Sequence, residues 1–422
     1  MRAVNRSLAP LRHRMFAILW TGAFISNIGT WMETVGVGIL VTEATDQSIW
    51  TGLVAAAGFA PLAVLGPVGG ALADRLPRRR LLLTTATIQA VLATLLTVLV
   101  ATGTPSPGIV TLIVFAAGCV QAIGFPAYQA VLPDLVPRED LIGAVALSSA
   151  QWNLGRVIGP ALAGVLIAVG GYELAFAFNA ASFLAVIFAV TQLRIPPPLD
   201  RARRSIVSEI REGLAYVRRD PGMRVVVAYM GVNTLLAAPF IALVPAMARI
   251  VLDEGASGTS VLVTLQGIGA VTMALSLAAL AARFGNRRVL QMVLWGLPFS
   301  LAAYAVMPGL ALSAVAIFFV GFLYLGALSS FTSIAQLRAP AAVRGRVLSV
   351  LFVILGSLYP LGAVVQGAIA DEIGLRATTV GAAALMLAVL LLARITRPGF
   401  TAALEEPAAP LDGFAAGTID AP

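Results

Sequence analysis

Long apolar runs separated by short polar segments dominate this sequence. Twelve runs are long enough to cross about 30 Å of hydrocarbon as helices. They cover residues 15–42, 50–73, 81–102, 108–131, 144–169, 173–193, 225–250, 259–281, 288–306, 310–336, 347–370 and 377–396. The pattern predicts an all-α integral membrane protein with twelve transmembrane helices.

The runs form two groups of six on either side of the longest polar segment. We therefore expect an N-terminal six-helix bundle and a C-terminal six-helix bundle, joined by a cytoplasmic linker and flanked by a basic cytoplasmic N-terminus and a disordered cytoplasmic tail. The bundles span 15–193 and 225–396, the linker 194–224, the N-terminus 1–14 and the tail 397–422.

Within the linker, apolar residues recur at helical spacing and predict an amphipathic helix on the inner membrane face. These residues are Ile206, Ile210, Leu214 and Val217. The helix is either a tether that lets two halves rock or a solvated linker held by its charge.

Composition and charge fix the class of protein and its orientation. With 59% hydrophobic and 11% charged residues, the chain lacks the polar surface of a soluble protein. All basic residues except Arg156, Arg249 and Arg376 lie in segments predicted to be cytoplasmic. This bias predicts a protein of the inner (plasma) membrane with both termini in the cytoplasm. The net charge of +8 then reflects orientation in the lipid bilayer and not binding to nucleic acid.

The residue types needed for catalysis are scarce. Cys119 and His13 are the only cysteine and histidine, which excludes a disulfide within the chain, a multi-thiolate metal site and a Ser/His/Asp triad. We expect no enzyme activity, no cofactor and no metal. The sequence also has no ATP-binding motif, so any work the protein does would draw on a gradient.

A short basic hairpin, residues 70–80, joins the second and third runs. A second copy follows at 278–288, about half the chain later, with Ala282 in place of Asp74. Such a repeat is typical of transporters with two similar halves. Gly70 and Asp74 share one helix face, and a carboxylate at a helix C-terminus opposes the helix dipole. Asp74 therefore needs a partner, which it would gain when the two halves close on the cytoplasmic side. This predicts that the hairpin is a latch that holds the closed state. In the alternative, the hairpin arginines only fix the orientation of the helices in the membrane.

This hairpin resembles the signature loop of the major facilitator superfamily, Gly-x-x-x-Asp-Arg-x-Gly-Arg-Arg. The latch residues that match are Gly70, Asp74, Arg75, Arg78 and Arg79. Pro77 stands where the family usually has glycine. The resemblance implies two pseudo-symmetric six-helix bundles, and it implies that Asp74 engages the start of the eleventh helix, near 344–346.

The fifth run carries a second motif, which resembles the fifth-helix motif of the drug-exporting members of the family. Its residues are Asn153, Gly155, Gly159, Pro160 and Gly164. Small residues permit a close neighbouring helix, and proline removes a backbone hydrogen bond. The alternative is generic small-residue packing. With the stretches 29–33 and 132–139, the chain looks most like the branch of enterobactin exporters and macrolide-efflux proteins.

Two charges lie inside predicted spans, away from the span edges: Glu33 and Arg156. An ionised carboxylate there costs about 3 kcal/mol, so Glu33 should be paired, protonated part of the time or facing water. A polar stripe on its helix is expected to face the central cavity and contains Gly22, Ser26, Gly29 and Thr30. Either Glu33 and Arg156 form a pair that proton uptake switches, or Glu33 binds cationic substrates and Arg156 bonds neighbouring polar groups.

Other polar and aromatic side chains in the spans are candidates for the substrate path. They are Asn27, Gln121, Tyr128, Asn233 and Tyr324. Each could instead make a hydrogen bond between helices or pack in the core.

These observations predict a proton-coupled exporter of amphiphilic small molecules, such as drugs, macrolide-like compounds or siderophores, that works by alternating access. Its expected partners are a small-molecule substrate and protons, and the chain is expected to act as a monomer. The alternatives are a proton-driven importer of a small polar nutrient and a non-transporting sensor or scaffold with a transporter-like body.

Overall fold

The computed structural model describes residues 8–195, 206–340, 343–396 and 400–404, and this part of the chain contains no strand. Its first half consists of α1 (Arg14–Thr45), α2 (Ser48–Arg75), α3 (Arg78–Thr102), α4 (Pro107–Leu135) and one longer helix, Leu141–Gln192. The longer helix is broken at Gly171, whose φ of 70° lies in the left-handed region that favours glycine. The break gives α5 (141–169) and α6 (172–192), as the sequence predicts.

The second half begins with the linker helix α7 (Ile206–Arg219). Six longer helices follow: α8 (Pro221–Val251), α9 (Ala256–Phe284), α10 (Asn286–Val306), α11 (Leu310–Arg338), α12 (Arg344–Ile373) and α13 (Leu375–Thr396). With α5 and α6 counted separately and α7 left out, twelve described helices are long and apolar enough to span a membrane. The predicted fold class is confirmed.

Capping residues fix the starts of α4 and α8. The Ser106 side chain accepts a hydrogen bond from the Ile109 amide, and the Asp220 carboxylate accepts one from the Met223 amide at 2.7 Å. A proline follows each cap and has no N–H to satisfy. Local sequence therefore determines where these two helices begin.

The apolar core of the first half is concentrated at its two ends. Phe16 and Leu132 belong to one cluster, and Val37 and Phe176 belong to another at the opposite end. The middle of α1 and α6 lies between these clusters. Glu33 and Asn179 lie in this middle layer.

The two halves meet along α2 and α12 and along α5 and α9. A Cβ on Gly52 of α2 would clash with the Ala363 carbonyl of α12, and one on Gly164 of α5 would lie 2.7 Å from Ser260 of α9. We call the side bearing the α1–α2 loop the far side, and the side bearing the α2–α3 loop the hairpin side. The close contacts lie toward the far side.

The linker helix lies against protein. Tyr216 and Val217 of α7 are buried, and a Cβ on Gly213 would lie against the Arg346 carbonyl of α12. The helix is therefore present as predicted, but part of its apolar face is covered by α12 instead of lipid. Residues 196–205 of the linker lie outside the described residues.

Part of the tail expected to be disordered is ordered. Phe400–Leu404 form a 3₁₀ turn, and the Leu404 carbonyl accepts a hydrogen bond from Arg338 at 3.0 Å. The turn is held because the chain returns to the surface of α8 and α11. Residues 405–422 lie outside the described residues.

Candidate functional site: gates and intramembrane charges

The predicted latch is open on the hairpin side. Asp74 is exposed and makes no hydrogen bond or ion pair within the described ranges. A Cβ built on Gly70, one turn earlier, would have no atom within 4 Å. The face of α2 that the sequence assigns to the latch therefore has no opposing helix in this conformation.

Two of the predicted latch residues instead brace the N-terminal half. Arg78 donates to the Asp134 carboxylate on α4 at 2.6 Å. Arg79 donates to the Val190 and Thr191 carbonyl oxygens at the end of α6. Both arginines tie the start of α3 to neighbouring helices. Arg75 is exposed beside Asp74.

The start of α12 lies next to the linker helix. This is the segment that the family resemblance implies as the partner of Asp74. Arg346 forms an ion pair with Glu212 of α7. A Cβ on Gly345 would meet no atom within 4 Å. The start of α12 is therefore accessible at Gly345 and engaged at Arg346.

The far side is sealed by contacts between the halves. The Asp371 carboxylate, at the end of α12, accepts hydrogen bonds from the Ser48 amide at 2.6 Å and the Ile49 amide at 3.0 Å. These are free N–H groups at the start of α2, where a negative charge is favourable. Asp46 and Arg249 add an exposed ion pair at 3.3 Å.

Replacing Asp371 with asparagine should weaken this seal. The two hydrogen bonds to a charged acceptor are lost or weakened, which costs about 1–2 kcal/mol. The equilibrium between the sealed state and a far-side-open state then shifts about ten-fold toward the open state. Spin labels on the far-side loops, at positions 104 and 308 in a Cys119→Ser background, should report a larger population at long distance. Glu372→Gln, a change at the neighbouring exposed acid, should leave the distribution unchanged. An unaltered distribution in Asp371→Asn would contradict the assigned seal.

Glu33 faces α6. Its carboxylate accepts a hydrogen bond from the Asn179 amide at 2.6 Å. A Cβ on Gly29 would clash with Asn179 and Ser182, and one on Gly22 would lie 2.8 Å from the Ala185 carbonyl. The expectation that this stripe faces the central cavity is wrong, because its small residues are the ones that let α1 and α6 approach closely.

Arg156 lies on the opposite side of α1, at the contact with the second half. Its Cζ atom lies over the Trp31 ring, 5.7 Å from the ring centroid, and Tyr324 and Tyr359 are within electrostatic reach. Arg156 and Glu33 form no ion pair within 4 Å in the described structure. Trp31 and Glu33 are two residues apart on a helix and so point in nearly opposite directions. The structure therefore does not bring the predicted pair together.

The fifth-helix motif packs as its small residues predict. A Cβ on Gly155 would lie 3.2 Å from Asn27, and one on Gly159 would lie 2.8 Å from the Ile28 carbonyl. Asn153 donates to the Ser149 carbonyl of its own helix. Pro160 is fully packed in the interior. The motif brings α5 against α1 and sets Arg156 beside Trp31.

The remaining candidates have different surroundings. Tyr128 accepts a hydrogen bond from Gln151 at 3.0 Å, a contact between α4 and α5. Gln121 is half-buried. Asn233 is buried in a π-helical segment of α8, and neither of its amide atoms has a partner among the described residues. Tyr324 packs edge-on against Phe240 at 5.6 Å.

Sequence reasoning selected Tyr324 but missed Trp152 and Tyr359, which also lie around Arg156. Trp152 packs against Trp31 at 5.5 Å and against Phe125 at 6.2 Å. Tyr359 of α12 packs against Phe59 of α2 at 5.2 Å. The spacing of Trp152 and Arg156, four residues apart on one helix, is the signal that could have linked them.

Comparison with known proteins places these features in a family context. A family profile described as "Transmembrane secretion effector" matches residues 5–416. The multidrug efflux pump Tap of Mycolicibacterium fortuitum is 28% identical over 92% of this chain and 95% of its own. Macrolide efflux protein A of Streptococcus pyogenes is 25% identical, covering 85% and 90%, and the enterobactin exporter EntS of Citrobacter koseri is 25% identical, covering 79% and 80%.

Solved structures share the fold at lower identity. A bacterial homologue of the iron transporter ferroportin in an inward-facing state has a TM-score of 0.69 at 17% identity, covering 90% of this chain and 98% of its own. A bacterial homologue of the human lysosomal transporter Spinster, also inward-facing, has a TM-score of 0.69 at 13% identity, covering 93% and 97%. This similarity concerns the fold alone.

Proposed function

Because this chain belongs to the transmembrane secretion effector family of the major facilitator superfamily, we propose that it is a proton-coupled exporter. Members of this family are multi-pass membrane transporters and not enzymes. The proposed substrates are amphiphilic small molecules, and the chain works as a monomer by alternating access. It draws on a proton gradient across the plasma membrane.

The asymmetry between the two sides carries the proposal. On the far side, Asp371 and the Gly52 contact hold α12 against α2. On the hairpin side, Gly70 and Asp74 face open space. A carrier that alternates between two states needs one side sealed and the other accessible, and this arrangement fits one of those states.

The hairpin side is assigned to the cytoplasm. The arginines of the chain concentrate in the segments on that side, as the positive-inside bias requires. The described conformation is then inward-open, and the exporter would take up its substrate from the cytoplasm in this state. The start of α1 and the turn Phe400–Leu404 lie on the same side.

Aromatic side chains support an amphiphilic substrate. Trp31, Trp152 and Phe125 form a connected group in the first half, and Phe240 and Tyr324 form an aromatic pair in the second half. The relatives named above are pumps or exporters of drugs, macrolides and enterobactin. Flat aromatic surfaces suit bulky ligands that have both apolar and polar parts.

Glu33 is the proposed proton carrier. It lies in the middle layer of the first half, where its carboxylate accepts one amide hydrogen bond, from Asn179. Protonation would remove an ionised group from a low-dielectric layer and loosen the contact of α1 with α6. Proton uptake would thereby change the packing of the helix that also carries Trp31.

Everted vesicles with a respiration-driven proton gradient test this proposal. Cationic drugs, macrolides and siderophores are added while a pH-sensitive dye reports the gradient. Wild type should dissipate the gradient with at least one compound, and Glu33→Gln should lower the rate ten-fold or more because its side chain no longer ionises. Glu43→Gln is the matched control, since Glu43 also lies on α1 and accepts a hydrogen bond from α6, through Tyr172 at 2.5 Å.

The outcomes separate the parts of the proposal. Dissipation by wild type that persists in Glu33→Gln would keep antiport and reject Glu33 as its carrier. No dissipation by any compound, with transport of a labelled compound intact, would reject proton coupling. Equal losses in Glu33→Gln and Glu43→Gln would indicate structural damage to the α1–α6 contact.

A further inference from the structure

Arg156 is an unneutralised cation at the meeting point of the two halves. Its Nη2 atom is buried and has no hydrogen-bond partner among the described residues. The other charge inside a span, Glu33, is held by Asn179 on the far face of α1. A buried guanidinium without an anion is costly, so a ligand that supplies one would be strongly favoured there.

The surroundings of Arg156 are suited to a carboxylate. The Cζ atom of Arg156 lies over the Trp31 ring, 5.7 Å from its centroid, and the Nη2 atom has N–H groups left for hydrogen bonding. Tyr324 and Tyr359 are close by, and their hydroxyl groups make no hydrogen bond in the described part of the chain. A planar guanidinium with two phenol donors offers several N–H and O–H groups to two carboxylate oxygens.

Access to Arg156 is from the hairpin side. Ile142 and Val145, which precede it on the same face of α5, are exposed. Beyond it, Gly159 and Gly164 are packed against α1 and α9. Arg156 therefore lies at the inner end of the accessible stretch of α5, next to the aromatic group of Trp31, Trp152 and Phe125.

We propose that Arg156, with Trp31, Tyr324 and Tyr359, binds the carboxylate of an anionic amphiphile whose apolar body rests on the neighbouring aromatic rings. This inference rests on the proposed export function and specifies its substrate class. It replaces the expectation of cationic substrates bound by Glu33. Because Tyr324 and Tyr359 come from the second half and Arg156 from the first, the carboxylate would bridge the two halves.

Calorimetric binding to the purified full chain in zwitterionic nanodiscs tests the site. The probes are fusidic acid and cholic acid, each compared with its methyl ester, which keeps the body and removes the charge. Each acid should bind wild type at least ten-fold more tightly than its ester. Arg156→Gln should reduce acid binding to the level of the ester and leave ester binding unchanged, and Arg156→Lys should retain part of the preference.

Two further variants guard against misfolding. Arg394→Gln removes an arginine stacked on Trp295 at 5.9 Å, a similar contact outside the proposed site, and should bind both probes as wild type does. Tyr324→Phe with Tyr359→Phe keeps the arginine and should weaken acid binding several-fold while sparing the ester. Gel filtration should show a single species for every variant.

Equal binding of acid and ester, no binding of either acid, or acid binding unaffected by Arg156→Gln would overturn the proposal. The same compounds in everted vesicles separate this inference from the export function. Transport of neutral or cationic compounds without a preference for acids would leave export standing and reject the site. Arg156-dependent acid binding without transport of any compound would leave the site standing and reject export.

Discussion

Replacing Asp74 with asparagine should reduce transport about ten- to thirty-fold without unfolding the protein. Asp74 has no partner in the described conformation, so this state loses nothing when the charge is removed. The proposed opposite state, closed on the hairpin side, would lose the attraction between the carboxylate and the start of α12. A charge at a helix end in a partly buried setting contributes up to about 2 kcal/mol.

Transport of a labelled substrate and spin-label distances across the hairpin side, between positions 138 and 288, measure this effect. In Asp74→Asn the short-distance population should nearly disappear. Glu139→Gln removes an exposed acid on the same side and should behave as wild type. Gly70→Leu should also hold the state that is open on the hairpin side, because the larger side chain would block closure. Position 70 has room for a side chain in the open state. Wild-type transport by Asp74→Asn would rule out the latch.

Replacing Asp220 with alanine should destabilise the second half by about 3–5 kcal/mol. Its carboxylate is fully buried and receives two hydrogen bonds from Arg338, each at 3.0 Å. Removing the acid takes the charged acceptor away from a nearly buried guanidinium, which is among the costliest single changes in a protein. The same carboxylate caps α8 through the Met223 amide, so the start of that helix is also weakened.

Unfolding in mixed micelles measures this loss, and a double-mutant cycle with Arg338→Met isolates the pairwise energy. Asp220→Asn keeps an acceptor for the cap and should recover part of the stability. Glu212→Gln breaks the more exposed pair with Arg346 nearby, and it should cost no more than about 1 kcal/mol. A loss in Asp220→Ala as small as that in Glu212→Gln would refute a buried ion pair.

The predicted and observed surroundings of the two intramembrane charges differ. Hydropathy identified Glu33 and Arg156 because charges inside apolar runs are rare. It assigned Glu33 to the cavity because its helix face is polar, but Gly29 and Asn179 show that the same face is the contact with α6. Small and polar residues mark a neighbouring helix as well as a cavity, so a helical wheel alone does not distinguish them.

The hairpin was predictable in a different way. The position of Asp74 at the end of α2 follows from local pattern, and its expected partner came from family resemblance. The bracing contacts of Arg78 with Asp134 and of Arg79 with the end of α6 were not foreseen. They join residues far apart in the chain, and any of the many arginines on that side could have made them.

The number of spans, the linker helix, the break at Gly171 and the caps at Ser106 and Asp220 follow from local sequence. These features depend on local hydrophobicity and on backbone preferences within a few residues. The seal on the far side, the contact of Glu33 with Asn179 and the contact of Arg156 with Trp31 follow from how the helices pack. In a membrane, lipid and protein interiors are similarly apolar, so hydrophobic pattern does not specify which helices touch; close packing and the pairing of a few polar groups do.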